Sequence, residues 1–180
     1  MKKILSILAA VGLTVSTSSA VIACSNDNSE ISKSIKEIYN FKNPETKEGW
    51  QELANKFQDS FFAKALELGK NLGFEVEEAE EMSAEQVQQV MNTPDFQICF
   101  ANQLAANYSI VKYFILEEDK ETAQDIADEL ILWDVDVYSY IISTGGDTLE
   151  VSYKIIKQNR EQVVKYWKEL KSEIEKIKTS

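Results

Sequence analysis

Asp119–Lys178 reads DKETAQDIADELILWDVDVYSYIISTGGDTLEVSYKIIKQNREQVVKYWKELKSEIEKIK, and it can be read with either of two periods. With a period of two, Leu149, Val151, Tyr153 and Ile155 alternate with Glu150, Ser152 and Lys154. Together with Trp133, Val135 and Val137 on the far side of Gly145-Gly146, that alternation describes a β-hairpin around 133–155. With a period of 3.6, Ala123, Ile126, Leu130, Trp133, Val137, Tyr140 and Thr144 step by threes and fours. Beyond the glycines Leu149, Tyr153, Ile156, Arg160, Val163, Trp167, Leu170, Ile174 and Ile177 do the same, with Arg160 the one polar interruption. A stripe sustained over that length is harder to obtain by chance than a short alternation. Asp147 with Glu150 suits a helix N-terminus, and Gly145 or Gly146 suits the left-handed residue that closes the preceding helix. The expectation is therefore a helical hairpin that sends Trp133 and Trp167 into a common core, with the β-hairpin as the alternative.

Outward from the hairpin the same period continues. Ile31, Ile35 and Ile38 recur at helical spacing after a polar tether, Ser25–Ser29. Pro44 opens a longer segment in which Trp50, Ala54, Phe57, Phe61, Ala65, Leu68 and Leu72 form a stripe widened by Leu53, Phe62 and Leu66, and Gly73 closes it. Ser83 with Gln86 caps a short helix carrying Val87, Val90 and Met91. Pro94 starts another, with Phe96, Phe100, Leu104, Tyr108, Val111 and Ile115 on one face. With glycine and proline confined mainly to segment edges, the fold class is all-α: an antiparallel bundle of about five or six helices in one domain over residues 30–180. The alternative is α+β, with the C-terminal β-hairpin.

Composition narrows the chemistry. The 180 residues include 30 acidic and 19 basic ones, a formal net charge of −11. Because residues 1–23 hold Lys2 and Lys3 but no carboxylate, the body after them is more negative still, which disfavours nucleic acid and unaided contact with anionic lipid. There is no histidine, so Ser-His-Asp and Cys-His catalysis and histidine-based metal sites are excluded within one chain.

The N-terminus carries the most specific signal. Met1-Lys2-Lys3 is a positive start, Ile4–Val15 an apolar stretch, and Ser16–Ala23 a small, weakly polar run. That order is a secretory leader. It ends in Val21-Ile22-Ala23-Cys24, which looks like a bacterial lipobox: an aliphatic, a tolerant and a small residue before a cysteine. The whole start, MKKILSILAAVGLTVSTSSAVIAC, resembles leaders of mollicute lipoproteins of the Mycoplasma mycoides, Entomoplasma and Spiroplasma type. The resemblance implies cleavage between Ala23 and Cys24, a diacylglyceryl thioether on Cys24, and a body on the outer face of the cell membrane. One acyl chain gives only marginal binding, so a second makes such an anchor stable. The alternative is an uncleaved transmembrane helix over Ile4–Ala23, whose polar end Ser16-Thr17-Ser18-Ser19 weakens it.

Other chemistry-bearing residues have ordinary structural explanations. Glu75, Glu77, Glu78, Glu80, Glu81 and Glu85 offer oxygen ligands, but without the spacing of a calcium loop they read as a solvated connection. Cys99 reads as a small buried hydrophobe. Asp134 and Asp136 beside Trp133, Tyr138 and Tyr140 resemble a glycosidase pair, yet two residues apart on a helix they face different ways. Trp133, Tyr140, Tyr153 and Trp167 fall on apolar stripes and read as core. Nothing calls for a cofactor or a metal. The expected function is a surface-anchored binding or interaction module, not an enzyme, whose partners are the membrane through Cys24 and an extracellular or membrane protein, with no nucleic acid. A histidine-free hydrolase or an accessory solute-binding component of a transporter is the alternative.

Overall fold

A computed structural model describes the backbone of residues 28–72, 93–143 and 153–177, and side chains in all but a few terminal turns of these spans. Five α-helices occupy the described residues: α1 Asn28–Tyr39, α2 Lys47–Leu72, α3 Pro94–Leu116, α4 Lys120–Ser143 and α5 Tyr153–Ile174. No strand occurs among these residues, so the architecture is an all-α bundle. The β-hairpin alternative is not found, because Trp133–Ser143 are helical in α4 and Tyr153–Ile155 in α5. The intervening glycines, the acidic run and the short helix expected after Ser83 lie outside the described residues.

The starts of α2, α3 and α4 have local causes. α1 begins at Asn28, inside the run expected to be tether. α2 begins at Lys47 and not at Pro44: Thr46 Oγ1 accepts the amide hydrogen of Gly49 at 3.2 Å, and Thr46 O that of Trp50 at 3.1 Å. The N-cap side chain thus meets a donor that the first turn leaves open. Pro44 folds back over this turn so tightly that a Cβ on Gly49 would lie 2.8 Å from Pro44 Cβ. α3 begins as expected, with Pro94 in its first turn and Thr93 Oγ1 accepting from the amide of Phe96. α4 is capped by Asp119, whose carboxylate takes both the amide and the hydroxyl hydrogen of Thr122.

α3 is the axis of the bundle and touches the other four helices. Every residue from Cys99 to Ser109 is buried, so the single apolar face expected from the sequence is in fact the whole circumference. Four polar side chains sit there because three bonds along the helix satisfy them: Asn102 Nδ2 to Ile98 O, Gln103 Nε2 to Asn107 Oδ1, and Ser109 Oγ to Ala105 O. Ala105 and Ala106 let α2 approach closely enough for Phe57 to cover them. α2 packs chiefly on α3, so its buried strip is narrow: Trp50, Ala54, Phe57 and Leu68 are inside. Phe62 and Leu66, expected to widen the stripe, are 42% and 51% exposed instead.

The α5 stripe is also rotated from its expected line. Ile155, Ile156, Asn159, Val163, Tyr166, Leu170 and Ile174 are buried, Arg160 is exposed, and Trp167 is half-buried on the flank under Lys171. Of the common core expected from Trp133 and Trp167, Trp167 is only half-buried while Tyr166 takes the central position of the α5 face, and the Trp133 side chain lies outside the described residues.

Candidate functional site

The sequence-designated residues Val21, Ile22, Ala23 and Cys24 all lie outside the described residues. Asp134 and Asp136 lie two positions apart on the helical backbone of α4, and their side chains lie outside the described residues. Cys99 is buried against α2, where desolvation pushes its thiol up to about 12, so it is held protonated.

The structure instead assembles a polar and aromatic seam between α3 and α5 that the sequence did not disclose. Tyr108 and Lys112 stand one turn apart on α3, and Glu169 and Glu173 one turn apart on α5. Tyr108 Oη donates to Glu169 Oε1 at 2.6 Å, and Lys112 Nζ donates to both oxygens of Glu173 at 2.6–2.7 Å. The Lys112 ammonium also lies 5.4 Å from the centre of the Trp50 ring, a cation–π contact that α2 supplies. The ring of Tyr108 stacks on Tyr166 with centroids 3.9 Å apart, and Tyr39 meets Tyr166 edge-on at 6.0 Å.

Further along the seam, Tyr39 Oη donates to Asn159 Oδ1 at 2.7 Å, while Asn159 Nδ2 donates to both oxygens of Gln97 at 3.1 Å. Ser32 and Gln158 exchange a second pair of bonds between α1 and α5. Among the described residues Gln97 Nε2, Tyr166 Oη and Trp167 Nε1 are buried with no partner in hydrogen-bond geometry.

Electrostatics decide what this seam can do. Burial raises the Tyr108 hydroxyl well above an ordinary tyrosine, and the Glu169 carboxylate that accepts its hydrogen adds to the effect. Burial likewise raises Tyr39, helped by Tyr166, and raises Tyr166 itself against a smaller opposing effect of Gln162. All three hydroxyls stay protonated at neutral pH, able to donate a hydrogen bond but not to act as bases or nucleophiles. The ammonium of Lys112 is occupied by Glu173. The seam fixes the register of α3 against α5, and among the described residues no three cysteine or acidic side chains converge as metal ligands.

The paired one-turn spacing of Tyr108/Lys112 and Glu169/Glu173 was a readable signal, but only the helix packing shows that the two pairs face each other. No family model matches the chain, and neither a curated protein nor a solved structure matches it.

Proposed function

We propose that this chain is a membrane lipoprotein whose leader is removed between Ala23 and Cys24, and whose helical body acts as a binding module on the outer face of the cell membrane. The observation that carries the reading is the sequence Val21-Ile22-Ala23-Cys24 at the end of a positive, then apolar, then small-residue leader. Two features of the body agree with it. No helix among the described residues is long and apolar enough to cross a membrane, so attachment falls to the N-terminus. In the interior seam the tyrosine hydroxyls stay protonated and Lys112 is ion-paired with Glu173, which favours contact through the outer surface as the body's means of acting. The partner is a protein, because the net negative charge opposes nucleic acid and anionic lipid.

The experiment is metabolic labelling with palmitate of cells expressing the parent and Cys24→Ser. The parent should give a labelled, processed band, and the variant an unlabelled precursor that retains its leader. Label persisting on the Ser variant would overturn the assignment.

A further inference from the structure

The outer faces of α4 and α5 carry opposite charge. α4 contains six carboxylates and one lysine, whereas α5 contains six basic residues and three glutamates, in a chain whose net charge is −11. Two of those three glutamates, Glu169 and Glu173, turn inward to Tyr108 and Lys112, so the outward face of α5 is more basic than its composition. Glu121, Asp125 and Asp128 are exposed on α4, and Lys165, Lys168 and Lys171 on α5. Leu132, 58% exposed, extends the acidic ridge with an apolar contact. Lys165 and Lys168 make no ion pair among the described residues, and neither do the three acids of the α4 ridge.

The two ridges are matched in height. Tyr108–Glu169 and Lys112–Glu173 hold α5 parallel to α3, each pair one turn from the next. The tight turn at Glu117–Asp119 sends α4 back along α3. The part of α4 around Asp125 and Asp128 therefore stands level with the part of α5 around Glu169 and Ser172, where the lysines emerge.

We infer that this two-ridge face is a self-association surface, with a second copy of the chain as its partner. A twofold axis parallel to the helices brings α4 of each copy onto α5 of the other without changing height, so acids meet lysines twice over in one isologous contact. An anionic membrane fits less well, since the acidic ridge beside the lysines would be repelled by the same surface. α1, α2 and α3 each carry equal numbers of acidic and basic residues, so this pair of helices is where the charge is separated into opposed ridges, and that separation selects this register. The inference names one partner for the proposed binding module but does not depend on the Cys24 anchor, because it is read in solution.

The test uses the full-length chain in non-ionic detergent, followed by sedimentation velocity over a range of concentrations, with circular dichroism confirming that each variant remains helical. The parent should self-associate, and less so as salt shortens the Debye length from about 10 Å at 0.1 M to about 3 Å at 1 M. Lys165→Glu/Lys168→Glu makes both ridges acidic, and Asp125→Lys/Asp128→Lys makes both basic. Each variant alone should lose self-association by more than about tenfold, since like charges then face each other. An equimolar mixture of the two should recover it as a heterodimer. A monomeric parent, a variant that associates as well as the parent, or a mixture that fails to associate would each overturn the proposal. So would a monomeric parent that sediments with vesicles of anionic phospholipid.

Discussion

Lys112 is a test of how a charge is kept inside a helical core. Its side chain is 14% exposed and Glu173 29%, with the carboxylate accepting from the ammonium through both oxygens and Trp50 placed beside it. Removing one partner strands the other in a poor solvent for ions, which for a fully buried pair costs about 3–5 kcal/mol. Here the remaining exposure of Glu173 admits water, so Glu173→Gln is expected to cost about 1–3 kcal/mol in denaturant unfolding. Adding Lys112→Met should recover most of that loss, because two apolar or neutral groups of similar shape need no counter-charge. A cycle in which the two changes simply add would show that the pair is not coupled. At the same scale, Cys99, read from the sequence as a small buried hydrophobe, is buried with its thiol held protonated.

At the scale of elements, the junction between α3 and α4 shows chain reversal without glycine. Glu118 N–H bonds to Ile115 O and Asp119 N–H to Phe114 O, the two closing bonds of a Schellman motif, and Glu118 takes φ 59° to make them. A residue with a Cβ pays about 1–2 kcal/mol in that left-handed region. Glycine escapes the clash but loses about 0.5–1 kcal/mol through the greater freedom of its unfolded chain. Glu118→Gly is therefore expected to raise stability by about 0.5–1 kcal/mol, seen as a higher denaturant midpoint at unchanged slope. A lower midpoint would mean that Glu118 contributes contacts that outweigh its strain. The period of 3.6 made these helices legible, since Ile31/Ile35/Ile38 and Trp50/Ala54/Phe57 step correctly along α1 and α2. It misjudged Phe62 and Leu66 because periodicity identifies an apolar stripe but not the width of the neighbour that covers it. α2 has essentially one neighbour, and the edges of its stripe stay in solvent.

For the whole molecule, the buried hydroxyls set a limit in alkali. Tyr39, Tyr108 and Tyr166, three of the chain's seven tyrosines, have folded values raised above the ordinary tyrosine value of about 10. A raised value means the folded state holds its proton where the unfolded state has released it. The stability from these groups is thus complete below about pH 10 and is lost as pH climbs from there towards the folded values. Tyrosinate absorbance should accordingly rise in two stages, a gradual one from accessible rings and a cooperative one coincident with loss of helical dichroism. Titration of all the rings near pH 10 with the helices intact would contradict the burial of the seam. What the sequence determined alone was local: helical period, the Pro94 start, and the absence of histidine. Each depends on residues close together in the chain. Tertiary structure decided which helix lies at the centre, that Tyr166 and not Trp167 fills the middle of the α5 face, and that Tyr108 and Lys112 meet Glu169 and Glu173. Those outcomes depend on the rotation and register of helices packed from opposite parts of the chain, and a one-residue turn of a helix changes its buried face while leaving its apolar period the same.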